Sequence, residues 1–553
     1  MVLVSCPLVD AIIRVAAGGL IEMNPSLVEI SGDGLTIAKV ASVARLSKRV
    51  ELVSHLNVRE KISASRRLLE KKLAAGEIIY GVNTGFGGNA RYLIPSSEIS
   101  KHQENMFQFL ACGVGTALPE DTVRAAMLLR ANALAKGFSG VRLVIIEKLL
   151  DLLNKRITPV VPRYGSVGAS GDLIPSAYIA RALLGQGEVY YQGTVRPADR
   201  TLADARMEPL RLEAKEALAL VNGTTVMNGI GSLVIDDGAY LTASVLACVS
   251  LALEALGATD DPFKDAIHRA KNHPGQITAA AFCRELLSTS GNVRNLDLLR
   301  AQLSDTREAK RQGVVRAEEC IQSPYSLRCA PQGLGPLLDA LEEYRRTLER
   351  EANSVNDNPL VDPVRGEIYH TGNFYGGHVA RALDGWKIDL ATLANWLHAI
   401  MALLVDERFS NGLPSNLSPN PGVSTGFKGV QLCLTSLVCA LRQLAQPSMI
   451  HTLPTEQYNQ DMVSLGTHSA LTAMDMTALA REAVAMVLIA LCQAIDLRRA
   501  ANYLGKGNQA IYARLRSEVT FLDEDRPLDR DIAKVGELIQ KRLIPLPDWR
   551  AGP

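Results

Sequence analysis

Apolar positions along this chain recur at helical rather than strand spacing. From Val123 (VRAAMLLRANALAKG) and from Val141 (VRLVIIEKLLDLLNK) they return every three or four residues, which predicts two helices with broad apolar faces. Two later runs are much longer. VARALDGWKIDLATLANWLHAIMALLVDER, starting at Val379, contains no proline, and a second Ala- and Leu-rich stretch runs proline-free from His468 to about Ala501. Helices of that length in a soluble chain lie in a bundle with neighbours on most sides. Faces so apolar are hard to bury in one copy, so subunit interfaces are expected on them.

The first half reads differently. Its short helical stretches are separated by glycine-rich loops, YGVNTGFGGNA from Tyr80 and PRYGSVGASGDLIP from Pro162. The expected architecture is mainly α: a tail or peripheral segment over 1–29, a loop-rich portion over 30–280, and a long-helix bundle with a C-terminal helical region over 281–553. The boundary is expected between 270 and 300.

Composition narrows the function. Of 553 residues 47% are hydrophobic and only 5% aromatic, with abundant Leu and Ala, which favours helix. The formal net charge is +1 and no basic cluster stands out, so neither nucleic acid nor an anionic membrane is expected as a partner. The nine cysteines form no CxxC pair and read as reduced core thiols; no zinc spacing and no HExxH occur. The N-terminus (MVLVSCPLVDAIIRVAAGGL) has no basic n-region and is broken by Asp10 and Arg14, so it is not read as a signal peptide. The apolar run AVAMVLIALCQAI is expected to be too short and interrupted to cross a bilayer. A cytoplasmic protein is the default expectation.

The chemistry is carried by GSVGASGDL. Glycines at 165, 168 and 171 admit backbone conformations closed to other residues. They surround the small residues Ala169-Ser170-Gly171. If the backbone bends tightly, the Gly171 amide can attack the Ala169 carbonyl. Loss of water, including the Ser170 hydroxyl, then leaves a five-membered ring with an exocyclic methylene, an electrophile that no ordinary side chain supplies. Alone, ASG is a common turn tripeptide. Around it, however, stand YGVNTGFG, LVNGTTVMNG, KNHPGQ, YSLRCAPQ, NSVNDNPL, GNFYGG and EQYNQDMVSLG, in that order. With GSVGASGDLIPS they resemble, from about residue 30 to about residue 540, the ammonia-lyases and aminomutases that carry a methylidene-imidazolone (MIO) group, and most of all bacterial phenylalanine ammonia-lyases. The chain departs from the family pattern at Ser176, Ser323 and Gly377.

That resemblance implies a fumarase/aspartase-like fold, an MIO formed autocatalytically from Ala169-Ser170-Gly171, no metal, and a homotetramer whose sites are shared between subunits. It places the catalytic base at Tyr80, on a mobile loop. A free phenol near pKa 10 is a poor base, and helix N-termini are expected to lower that value. It makes Arg328 the two-pronged holder of the substrate carboxylate, with Tyr325 on the same helical face as a second active-site tyrosine. Asn222 and Asn358 stand near the substrate and ring, where an amide can donate to a carbonyl on which charge develops; by sequence alone both also suit turns or caps. Phe374 packs beside the ring, with Gln460 close by. Glu456 stands near the amine, where a carboxylate favours leaving ammonia as a cation, and so favours elimination over migration.

Phe109-Leu110 mark the side-chain pocket, with Leu173 beside them. In this family tyrosine enzymes tend to have His-Leu at the pair and histidine enzymes Ser-His. A tyrosine hydroxyl facing Phe109 would be buried without a partner from that residue. The expected reaction is elimination of ammonia from L-phenylalanine to trans-cinnamate. The alternatives are a phenylalanine or tyrosine 2,3-aminomutase and a tyrosine or histidine ammonia-lyase.

Overall fold

The computed structural model describes residues 27–304, 313–314, 316–317 and 319–546. Residues 1–26 of the expected tail therefore lie outside the described residues. Its last three residues belong instead to strand β1 (Leu27–Ile30), which pairs in parallel with β2 (Arg49–Leu52). Strands are few and short among the described residues, and helices dominate as the composition predicts.

The helices that place the site are, in chain order, α1 (Ile99–Phe109), α2 (Glu120–Ala135), α3 (Leu173–Leu183), α4 (Glu216–Val221), α5 (Thr225–Ala255), α6 (Pro274–Leu286), α7 (Tyr325–Arg328), α8 (Ala330–Ala352), α9 (Gly377–Val405) and α10 (Gly466–Leu497). The four runs read from the sequence as helices are helical. The first long bundle helix, α5, comes ahead of the boundary expected between 270 and 300. It packs along α10, with α2 and α8 on its other sides, and one hydrophobic core extends from Val28 to Ile544.

Close packing needs small residues where helices cross. Gly238 of α5 leaves its side-chain space to the Trp386 indole of α9, which would stand 2.5 Å from an added Cβ. The same indole donates through Nε1 to Thr477 of α10 at 3.2 Å, so three long helices are locked at one buried ring. A methyl at Gly238 would overpack that junction, at about 1–3 kcal/mol.

Two sequence expectations need correction. The run at 483–495 lies inside the 32-residue α10, and α5, α9 and α10 are each long and apolar enough, by length and composition, to cross a membrane. A helix apolar on all sides must be covered on all sides. The most apolar windows of α5 and α10 are 94% and 78% buried within this chain, but that of α9 only 44%. The cysteines are also not all core thiols: Cys248, Cys283 and Cys492 are buried, whereas Cys112, Cys320, Cys433 and Cys439 are exposed. Cys6 lies outside the described residues.

Candidate active site

Three long helices begin at one place. Gly376 and Gly466, at the starts of α9 and α10, both abut the Met227 side chain in the first turn of α5. Each helix N-terminus carries roughly half a positive charge, so the three together make an electron-withdrawing floor. The Ala169-Ser170-Gly171 segment rests on it.

Asp172 fixes the segment there. Its carboxylate is fully buried and accepts from the Val226 and Met227 amides at 3.0 and 2.8 Å, capping α5 from a remote part of the chain. It also accepts from Ser166 Oγ at 3.2 Å and from Thr467 Oγ1, in the first turn of α10. Burial pushes the carboxyl above its usual range while these four donors pull it down. The Asp172 amide donates to the Gly223 carbonyl at 2.7 Å.

The backbone between these anchors is bent as ring closure needs. Ser170 has φ 52° and Gly171 φ 76°, and Gly168 pairs antiparallel with Gly171 across the turn. Position 171 admits only glycine, since a Cβ there would stand 2.1 Å from the Gly223 oxygen. The Ser170 carbonyl accepts from the Gly223 amide and from Asn222 Nδ2, both at 3.2 Å. Asn222 is 2% exposed, and its Oδ1 is buried without a partner among the described residues. The segment thus fits an MIO on three counts: a tight left-handed bend, a glycine with no room for a side chain, and two donors on the carbonyl that would stay in the ring.

The segment faces a cleft of about 680 Å³. Tyr80, Ala169, Ser170, Asn358, Phe374 and Gln460 all line it. Gln460 Nε2 donates to Ser170 Oγ at 3.2 Å. Asn358 uses its Oδ1 to accept from the Thr371 amide at 2.7 Å, which leaves its NH2 to donate. Tyr80 Oη accepts from the Gly87 amide at 2.8 Å, and that bond favours the ionised phenol. Burial outweighs it and pushes the Tyr80 phenol above its ordinary value, with the Glu456 charge pushing the same way. The expected lowering of this phenol is therefore corrected: the helix N-termini converge under Ser170, while the surroundings of Tyr80 are dominated by burial.

Other expected residues stand off the cleft. Phe109 ends α1 exposed, 6.5 Å from the Phe86 ring, while Leu110 is buried in the core and Leu173 opens α3 partly buried. The Glu456 carboxylate lies over Gly87, within 2.2 Å of where a Cβ would be. Arg328 stacks on Tyr325 at 4.5 Å as their shared face predicts, but neither lines the cleft. Their helix is held where Trp396 donates to the Ser326 carbonyl at 2.8 Å. Trp396 is nineteen residues along α9 from Gly377, about 28 Å at 1.5 Å per residue. Within one chain the two groups are too far apart to act on one amino acid.

Sequence reasoning missed Asp172, although it sits inside GASGD, because an aspartate after a glycine turn reads as a local cap. It also missed His370 and Tyr375, which line the cleft beside GNFYGG. No cluster with metal-ligand character occurs among the described residues.

Comparison with known proteins converges on one family. A family model described as aromatic amino acid lyase matches residues 35–517. A hal-like protein of Dictyostelium discoideum is 40% identical, over 95% of this chain and 99% of its own length. A histidine ammonia-lyase of Streptococcus gordonii is 35% identical, over 93% and 96%, and further histidine ammonia-lyases match comparably. Among solved structures, a tyrosine aminomutase from Streptomyces globisporus superposes with TM-score 0.90 at 34% identity, covering 94% of this chain and 97% of that one.

Proposed function

Because this chain belongs to the aromatic amino acid lyase family, with its all-α, fumarase/aspartase-like fold, we propose that it eliminates ammonia from L-phenylalanine to give trans-cinnamate. The observation that carries the reading is that Tyr80 and the Ala169-Ser170 segment line one and the same cleft. Elimination needs a base at the β-carbon and a means of making the amine leave.

Cyclised, Ala169-Ser170-Gly171 supply an electrophile for the substrate amine. The remaining work falls to ordinary groups. Asn222 and the Gly223 amide draw electron density through the Ser170 carbonyl, and three helix N-termini add to the pull. Tyr80, once ionised, takes the β-proton, helped by the Gly87 amide. Glu456, whose charge acts on Tyr80, is the group the family resemblance assigns to the departing ammonium. Arg328 holds the substrate carboxylate, and Tyr325 acts beside it as the second active-site tyrosine, in a neighbouring subunit's cleft, because their own cleft is out of reach. The half-covered α9 supports such an assembly, and a homotetramer is the proposed state.

Overall identity does not choose the amino acid, since histidine ammonia-lyases and a tyrosine aminomutase match almost equally. Phe109-Leu110, which the family resemblance places at the side-chain pocket, support phenylalanine: neither carries a hydrogen-bonding side chain, so a pocket they wall would leave an imidazole or phenol without a partner from them. A 2,3-aminomutase is the second reading, favoured by the likeness to the tyrosine aminomutase. Incubation with L-phenylalanine, with cinnamate followed by ultraviolet absorbance and the mixture run on a chiral column, tests both. Cinnamate without β-phenylalanine supports the lyase, and predominant β-phenylalanine the aminomutase. Turnover of histidine or tyrosine alone overturns the phenylalanine reading.

A further inference from the structure

The loop that carries Tyr80 is tied to α1 by two side chains. His102 Nε2 meets the Thr84 carbonyl at 3.0 Å, and Gln103 Nε2 donates to the Gly81 carbonyl at 2.9 Å. The His102 imidazole also lies flat on the Phe86 ring, with centroids 4.1 Å apart and planes 10° from parallel. Gln103 is fully buried, so its bond is shielded from water. These ties fall at positions 81, 84 and 86. They bracket the turn whose next residue, Gly87, donates to the Tyr80 oxygen.

What α1 rests on gives the ties their meaning. It packs against α3, which begins two residues after Gly171, and against α4, which ends one residue before Asn222. The helix that holds the Tyr80 loop is therefore seated on the two helices that flank the electrophile and its carbonyl donor. The loop is also tied locally, where Asn83 accepts from the Ile79 amide at 2.7 Å and donates to the Glu77 carbonyl at 2.9 Å, and to a distant side chain where the Tyr80 amide donates to His370 at 3.2 Å. A base on a loop acts only in the fraction of molecules whose loop is seated, and turnover scales with that fraction.

We infer that His102 and Gln103 are positioning residues for Tyr80: they latch the loop of the base to the scaffold of the electrophile. The latch leaves substrate affinity to other groups, because neither side chain lines the cleft. The inference rests on Tyr80 being the base, as proposed above. The ring stack and the hydrogen bond can be separated, since a phenylalanine at 102 keeps the stack and loses the donor.

The test compares H102A, H102F, Q103A and Y80F in the full-length protein. It measures kcat and KM on the amino acid turned over, thermal midpoint, and the rate of proteolytic cleavage within residues 80–94. H102A is expected to lose about tenfold in kcat, the scale of one lost hydrogen bond and one ring stack, with KM and thermal midpoint held and loop cleavage faster. H102F should fall between H102A and the native protein on both kcat and cleavage. Q103A removes a buried group, so it is judged by cleavage at the loop relative to cleavage elsewhere. Native kcat and native loop resistance in H102A overturn the latch, as does a loss carried wholly in KM. Y80F separates the two readings. If Y80F turns over at the native rate, the base assignment fails, and loop cleavage in H102A still decides the latch.

Discussion

Removing the Asn222 side chain is expected to separate catalysis from stability. In Asn222→Ala the Ser170 carbonyl keeps the Gly223 amide and loses Nδ2, each now at 3.2 Å. A donor aimed at an oxygen that gains charge in the reaction is worth about 10²–10³ in turnover, or ~2.7–4 kcal/mol. Because 3.2 Å is at the long end and a second donor remains, about 10² is the expected loss.

The folded state should scarcely notice. The hydrogen bond itself contributes ~1 kcal/mol net, while the buried and unpartnered Oδ1 costs ~1–3 kcal/mol and disappears with it. Stability is therefore expected to stay within about 1 kcal/mol of the native protein, or to rise. The assay needs three readings on one preparation: initial rate, denaturant unfolding, and the mass of the peptide containing residues 169–171. The mass shows whether two waters have been lost, so slow turnover with a complete prosthetic ring isolates the donor's effect. Turnover within about threefold of native, with that peptide dehydrated, would refute the assignment of Asn222 to the carbonyl.

Other substitutions probe other links. Gly171→Ala places a methyl 2.1 Å from the Gly223 oxygen at φ 76°, so the triad peptide should keep both waters by mass spectrometry. Glu456→Gln removes a charge that helps hold the Tyr80 phenol up; the phenol then ionises more readily, and the acid limb of the kcat/KM profile should move to lower pH, a shift the other way counting against Tyr80 as the base. Phe109→His should raise activity on tyrosine relative to phenylalanine, and an unchanged ratio would remove Phe109 from the specificity pocket. Lys215→Ala strands the Asp357 carboxylate, 2% exposed and now 2.7 Å from its only ion-pair partner among the described residues; urea unfolding should show a loss of ~3–5 kcal/mol.

The helices were legible in the sequence because their periodicity is a local property. The runs from Val123, Val141, Val379 and His468 all lie in helices. Helix α5 was not singled out, because it is buried on nearly all sides and so has no broad polar stripe to mark it as a long bundle helix. The site was legible as a set of segments and only partly as an arrangement. Tyr80, Ser170, Asn358, Phe374 and Gln460 do share a cleft, but the spacing of YSLRCAPQ says nothing of how far α9 carries it from that cleft. The direction of the Tyr80 shift depends on burial by a loop fold and on a carboxylate 376 positions away, neither of which has a local signature.

Why the motifs lie where they do in the chain follows from the bundle. GASGD provides the remote cap of α5, NGTT leads directly into it, GNFYGG leads into α9, and the segment ending VSLG leads into α10. The last three are far apart in sequence because each belongs to a different helix start, and the chain between them includes the 31 residues of α5 and the 29 of α9. They meet in space because three long helices can converge at one end only if small residues line the approach, as Gly376 and Gly466 do against Met227. The same convergence gathers positive helix ends under a carbonyl that must accept electron density, so the packing that stabilises the bundle also polarises the site. A change that splays these N-termini without touching a site residue should then lower turnover and stability together, the opposite of the separation expected at Asn222. Gly376→Ala, whose methyl would stand 2.3 Å from the Met227 sulfur, is that change.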